Sequence, residues 1–109
     1  MSPDADMGAI CEYHGAECRV ALSGRINIDS SPGLRALLLQ RLQSAGCQIL
    51  TVDFYEVAYV DTSGLATLVE VLKAARAQGK KFRLSRLRER PRFLLEATRL
   101  LHLFDESPQ

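Results

Sequence analysis

The sequence predicts an α/β domain: a mixed β-sheet of about four strands packed against α-helices, in the order β-β-α-β-α-β-α. Three observations carry this prediction. Apolar residues alternate with polar ones over Glu17 to Ser23, which is the two-residue period of a half-buried strand. Leucine-rich segments starting near Ser31 and at Leu65 repeat instead with the period of a helix. Glycines or prolines stand at the joints between these segments, at Gly15, Pro32, Gly46, Gly79 and Pro91. Strands joined through helices are expected to run parallel, and the opening hairpin antiparallel.

Along the chain, residues 1–8 are polar and read as a disordered N-terminus, 9–106 as the domain, and 107–109 as a tail. Ala9 to His14 and Glu17 to Ser23 read as two strands about a turn at Gly15. Cys18, Val20 and Leu22 point to one face of the second. The chain is expected to leave the sheet at Ser23-Gly24-Arg25-Ile26-Asn27. A first helix follows over about Ser31 to Ser44, with Ser30 or Ser31 as its cap and Pro32 in its first turn. Its apolar stripe is Leu34, Leu37, Leu38 and Leu42, and Gly46 ends it. Gln48 to Phe54 is a third strand, followed by a loop from Tyr55 to Val60. The second helix runs to about Gln78 with Leu65, Leu68, Leu72 and Ala75 inward. Lys81 to Leu84 is a short fourth strand. The third helix spans about Arg90 to Leu101, with Phe93, Leu94, Ala97 and Leu101 as candidate core.

Composition narrows the function classes. One domain of 109 residues is long enough to bury a core without staples. Its formal net charge of +1 gives no global field toward nucleic acid or membrane. No apolar run approaches the roughly 20 residues of a membrane span, and the N-terminus lacks a signal-peptide pattern, so a cytoplasmic protein is expected. Cys11, Cys18 and Cys47 are odd in number, lack metal-type spacing and read as packing residues. His14 and His102 have no partner at ligand spacing, so no metal is expected. No nucleophile is accompanied by a base, so no enzyme is expected either, and no cofactor is implied. Lys80, Lys81, Arg83, Arg86, Arg88, Arg90 and Arg92 form a basic cluster opposed only by Glu89. It reads as a solvated face or as a contact for an acidic protein. Direct nucleic-acid binding is disfavoured because Phe82 alone among aromatic residues falls within the cluster and no recognised module accompanies it.

The most informative residues are Asp61-Thr62-Ser63-Gly64. They join a strand and loop to an apolar helix, placing two hydroxyls and a carboxylate at a helix N-terminus. There, backbone N–H groups are unpaired and the dipole favours negative charge. Two uses are open: a helix cap, or a place where a phosphate is attached and read. At 100° per residue, Thr62, Ala66, Glu70, Lys73 and Ala77 share a stripe turned away from Leu65, Leu68 and Leu72. Thr62 is therefore expected at the exposed shoulder of the helix.

Val52-Asp53-Phe54, followed after a loop by Val60-Asp61-Thr62-Ser63-Gly64-Leu65-Ala66-Thr67-Leu68, resembles the central signature of STAS domains, specifically bacterial anti-sigma factor antagonists. Leu22-Ser23-Gly24-Arg25-Ile26-Asn27 with Ser30-Ser31-Pro32 resembles the family's entry to its first helix. Gly79 to Leu84 resembles its short fourth strand. Pro91 to Ala97 with Leu103-Phe104 resembles its last helix and tail. The resemblance covers roughly residues 9–106.

The resemblance implies a STAS-type fold and a partner-switching function. In that family the unphosphorylated antagonist binds an anti-sigma factor, a protein kinase with a histidine-kinase-like ATPase fold, and so frees a sigma factor. The kinase phosphorylates the Ser or Thr after the motif Asp, which releases the antagonist, and a separate phosphatase resets it. Carried onto this chain, the phosphoacceptor is Thr62, with Ser63 as the runner-up. Asp61 shapes the site, and Gly64 is expected to let a partner's backbone approach closely. Ala66, Glu70, Lys73, Asn27 and Asp29 complete the expected partner face. The family often carries carboxylates where this chain has Arg25 and Asn27, and more often Ser than Thr as acceptor. A second function is implied by similarity to STAS subunits of lipid-transport ABC complexes, in which the same helix contacts the transporter's ATPase.

Overall fold

The computed structural model describes residues 7–107. Five strands form one sheet in the order β1-β2-β3-β4-β5: β1 (Met7–His14), β2 (Glu17–Ile26), β3 (Ile49–Val60), β4 (Lys81–Ser85) and β5 (Asp105–Ser107). β1 pairs antiparallel with β2, and the remaining neighbours are parallel. The helices are α1 (Ser31–Gln43), α2 (Thr62–Ala77) and α3 (Glu89–Ala97), with a single 3₁₀ turn at Leu101–Leu103 before β5. The mixed α/β class and the element order thus stand, with five strands rather than about four.

One face of the sheet is apolar. Cys18, Val20 and Leu22 of β2, Leu50, Val52 and Phe54 of β3, and Phe82 and Leu84 of β4 are all buried. They share one cluster with Leu34, Leu38 and Leu42 of α1, Leu65, Leu68, Val71, Leu72 and Ala75 of α2, and Leu95 and Phe104. Fully burying a side chain of this size contributes roughly 1.5–3 kcal/mol, so this cluster is the main source of stability. Polar residues at alternate positions of the same strands hydrogen-bond across the sheet and to Arg86 just beyond β4. Thr51 donates to Glu17 at 2.6 Å and Arg19 to Ser85 at 2.9 Å. Asp53 accepts from Arg86 Nε and an Arg86 terminal nitrogen at 3.2 and 2.5 Å. Burial alone would raise the Asp53 carboxyl. The bonds from Arg86 and the Tyr55 N–H, and the nearby Arg19 charge, outweigh it and hold Asp53 below the usual carboxylate value.

Several boundaries differ from expectation. Met7 and Gly8, assigned to the disordered N-terminus, pair with Gly24 and Ser23 in β1, and Ser107 of the expected tail belongs to β5. Residues 1–6 and 108–109 lie outside the described residues. β2 does not leave the sheet at Ser23, and β3 does not end at Phe54. Their pairing continues to Ile26 and Val60 across register shifts after Ala21 and after Gly24. A bulge puts two successive residues, Tyr55 and Glu56, outward, which breaks the alternation and reads as a loop. Helix α1 stops at Gln43. The hydroxyl of Ser30, at its N-cap position, makes no cap bond; it accepts from the Asn27 N–H and donates to the Arg25 carbonyl in the preceding loop.

Helix α3 is shorter than expected and turned differently. Pro91 and Leu95, four residues apart, are the buried pair. Phe93 lies half a turn away and is 70 % exposed, and Ala97 is exposed. The expected stripe assumed an unbroken helix to Leu101. Instead, Thr98 Oγ1 donates to the Leu94 carbonyl at 2.7 Å, and Arg99 takes a left-handed φ of 60°. That change of direction brings Phe104 into edge-to-face contact with Phe82, the ring centroids 6.0 Å apart.

Candidate functional site

The site lies where β3 ends and α2 begins. Asp61 is the N-cap of α2, its Oδ1 accepting from the backbone N–H groups of Ser63 and Gly64 at 2.9 and 3.1 Å. The same oxygen accepts the Ser63 hydroxyl at 2.6 Å. Burial by itself would raise the Asp61 carboxyl. The Ser63 hydroxyl and the N–H groups of Gly64, Ser63 and Ile28 outweigh it, so the group stays ionised below its ordinary value. The cap is thus the carboxylate, and neither hydroxyl of the motif is needed for capping.

The two hydroxyls are consequently unequal. Ser63 is half-buried, bonded to Asp61, and its oxygen lies 3.0 Å from Ser31 Oγ at the start of α1. Thr62 is exposed at the first helical position, and the bonds that fix this turn run through Asp61, Ser63 and Ser31. Ala66, Glu70, Lys73 and Ala77 are exposed with it, so one face of α2 carries the expected stripe. Glu70 on that face pairs with Arg35 of α1 at 2.6 Å.

The loop between β2 and α1 reaches the same place, because the Asp61 N–H donates to the Ile26 carbonyl at 3.0 Å. Asn27 organises this loop. Its side-chain oxygen accepts from the N–H groups of Asp29 and Ser30 at 2.9 and 3.2 Å, and its carbonyl accepts from Ser31 Oγ at 2.7 Å. The Asn27 carboxamide oxygen therefore serves the loop, and the residues it presents outward are Asp29 and Ile28, the latter 72 % exposed.

Gly64 needs a correction. It was expected to make room for a partner, but it is buried, and a Cβ there would lie 2.6 Å from Ile26 Cγ2 and 2.9 Å from Val60 Cγ1. Glycine is required so that α2 can seat on the ends of β2 and β3.

Three contributors were not legible as site residues. Tyr59, Arg90 and Phe93 line, with Thr62, a groove of about 650 Å³ between the end of β3 and α3. Tyr59 falls in the segment expected as a loop, and Phe93 among the expected core residues of α3. The basic cluster also differs from its linear appearance. Arg25 and Arg90 stack on Tyr59, and Arg86 and Arg88 on Tyr55, so rings distant in sequence interleave with the arginines in space.

Comparison with known proteins agrees with this geometry. The family model described as "Mlab, STAS domain" matches residues 11–105. An anti-sigma-B factor antagonist of Bacillus subtilis (strain 168) is 32% identical over 91 residues, covering 84% of this chain and 82% of that protein. The crystal structure of an anti-sigma factor antagonist from Mycobacterium paratuberculosis superposes with a TM-score of 0.79 at 21% identity, over 98% of this chain and 89% of that one. The Bacillus cell fate determinant SpoIIAA in its phosphorylated form gives 0.72 at 13% identity, over 94% and 93%. The motif capped by Asp61, the five-stranded mixed sheet and these matches together place the chain in the STAS domain family, among the anti-sigma factor antagonists.

Proposed function

We propose that this chain is a phosphorylation-controlled binding protein. Its unphosphorylated form binds an anti-sigma factor that is also a serine/threonine kinase of histidine-kinase-like ATPase fold, and thereby frees a sigma factor. Phosphorylation of Thr62 ends that complex, and a phosphatase restores it. The partner meets the exposed face of α2, from Thr62 through Ala66 and Glu70 to Lys73, together with Asp29 and Ile28 of the neighbouring loop. The chain binds and carries no chemistry of its own.

The observation that carries this reading is the division of labour at the turn. Asp61 caps the helix and holds the Ser63 proton, which leaves Thr62 as the exposed hydroxyl of the motif. A phosphate adds about −1.5 to −2 charges. At a helix N-terminus that charge is tolerated and stabilised by roughly 0.3–1 kcal/mol. In a dry interface, beside an ionised Asp61, it is strongly unfavourable. The modification therefore acts on the complex and leaves the fold intact.

The test is incubation with the anti-sigma factor kinase and ATP, followed by peptide mass mapping. Phosphate on Thr62 is expected. An unmodified chain, or phosphate on Ser63, overturns the assignment. Recovery of a transporter-type ATPase as the stable partner, with no phosphorylation, would favour the alternative of a lipid-transport subunit.

A further inference from the structure

We infer that the arginine–tyrosine surface beside Thr62 is a docking site for an acidic segment of the partner protein. This rests on the reading of the chain as a binding protein and adds the chemistry of what it binds. The guanidiniums of Arg25 and Arg90 both lie over the Tyr59 ring, 4.7 and 5.9 Å from its centre. Those of Arg86 and Arg88 lie over the Tyr55 ring, at 4.6 and 5.5 Å. Four arginines from the end of β2, the segment after β4 and the start of α3 thus converge on two rings of β3.

Their charges are largely uncompensated. Arg86 is matched by Asp53. Among the described residues, Arg25, Arg88 and Arg90 form no ion pair with a carboxylate. All four arginines are exposed on a chain whose net charge is only +1, so the cationic field is local to this face. Stacking also restrains long side chains that would otherwise be mobile, which lowers the ordering cost of receiving a carboxylate. The surface is continuous with the Thr62 groove, which Tyr59 and Arg90 also line and where Phe93 offers an apolar anchor.

This mixture fits an acidic polypeptide with an apolar residue better than a nucleic acid. Guanidinium groups already lie over both tyrosine rings and compete with bases for them. A partner meeting this chain therefore carries carboxylates opposite Arg25, Arg88 and Arg90.

The experiment is an NMR titration of the ¹⁵N-labelled full chain, following backbone amides and arginine Nε–H signals, with a short leucine–glutamate peptide as probe. Parallel titrations use the leucine–glutamine peptide, oligothymidylate and anionic phosphatidylglycerol vesicles. The expected result is shifts at Arg25, Arg88, Arg90 and Tyr59 with the glutamate peptide, weakened roughly tenfold or more by Arg25→Glu/Arg90→Glu and by high salt. Lys81→Glu, at the far end of β4, leaves the response unchanged. Arg25→Gln/Arg90→Gln serves if the reversed variant fails to fold. Silent arginines, equal binding of the glutamine peptide, or a stronger response to oligothymidylate or vesicles overturns the inference. The titration involves neither kinase nor phosphate. An unmodified Thr62 would refute the switch alone, and silent arginines would refute this surface alone.

Discussion

A methyl group at position 64 has nowhere to go, and its cost can be worked from two distances. In Gly64→Ala the new Cβ falls 2.6 Å from Ile26 Cγ2 and 2.9 Å from Val60 Cγ1, where relaxed carbon contacts are about 3.5–4.0 Å. Neither neighbour yields easily. Both are β-branched, with stiff χ1 angles, and Ile26 is paired with Val60 in the β2–β3 ladder. Overpacking of this kind costs roughly 1–3 kcal/mol. Alanine returns about 0.8–1 kcal/mol through its better helix propensity. The net expectation is a loss of about 1 kcal/mol, or a fall in melting temperature of roughly 4–8 °C for a domain of this size. Gly33→Ala in α1 is the matched control, since nothing lies within 4 Å of its added Cβ. There only the conformational gain operates, about 0.4–1 kcal/mol, and the melting temperature should rise by a few degrees. Thermal unfolding followed by circular dichroism reads both. A Gly64→Ala protein melting at or above wild type would refute the packing account of Gly64 and restore a role in accommodating a partner.

The Asp61 cap and the buried Asp53 give further expectations. Asp61→Ala should lose roughly 0.5–2 kcal/mol in urea unfolding, and Asp61→Asn much less, because Asn also accepts at an N-cap. Equal effects of the two would mean that the charge, not the cap geometry, holds the turn. Asp53 and Asp61 both titrate below the ordinary 3.8 in the folded chain. Lowered carboxylates stabilise the fold above the unfolded value, and that stability disappears as pH falls through their folded values. Stability should therefore be flat near neutrality and decline from about pH 4 downward. Asp53→Asn should flatten the acid limb in a pH series of melting curves, and an unchanged limb would exclude Asp53 as a contributor.

The helices α1 and α2 were legible because leucine at three- and four-residue spacing has one reading. Their caps were less so, since Asp61 acts through hydrogen bonds to Ser63 and Gly64 that spacing does not reveal. The second half of β3 was hidden by the outward pair Tyr55–Glu56, a bulge that only pairing with β2 exposes. β5 was hidden because Asp105-Glu106-Ser107 has no alternation, and its strand character comes from the β4 edge. Phe93 was misplaced because the frame of α3 is set by Pro91 and Leu95 and broken at Arg99, a left-handed residue that sequence does not mark. At the site, the stripe from Thr62 to Lys73 was legible from helical geometry. The Arg–Tyr stacks were not, since Tyr59 lies more than thirty residues from both Arg25 and Arg90 along the chain.

The central claim is that a single phosphate on Thr62 controls binding. Its most direct measurement is the affinity of the anti-sigma factor for the unphosphorylated chain, the chain phosphorylated on Thr62, and Thr62→Ala, by calorimetry at one salt concentration. The account predicts that Thr62→Ala binds within a few-fold of the unphosphorylated chain, while the phosphorylated chain binds at least roughly tenfold more weakly, a loss above about 1.4 kcal/mol. Equal affinity of the phosphorylated and unphosphorylated chains would contradict it.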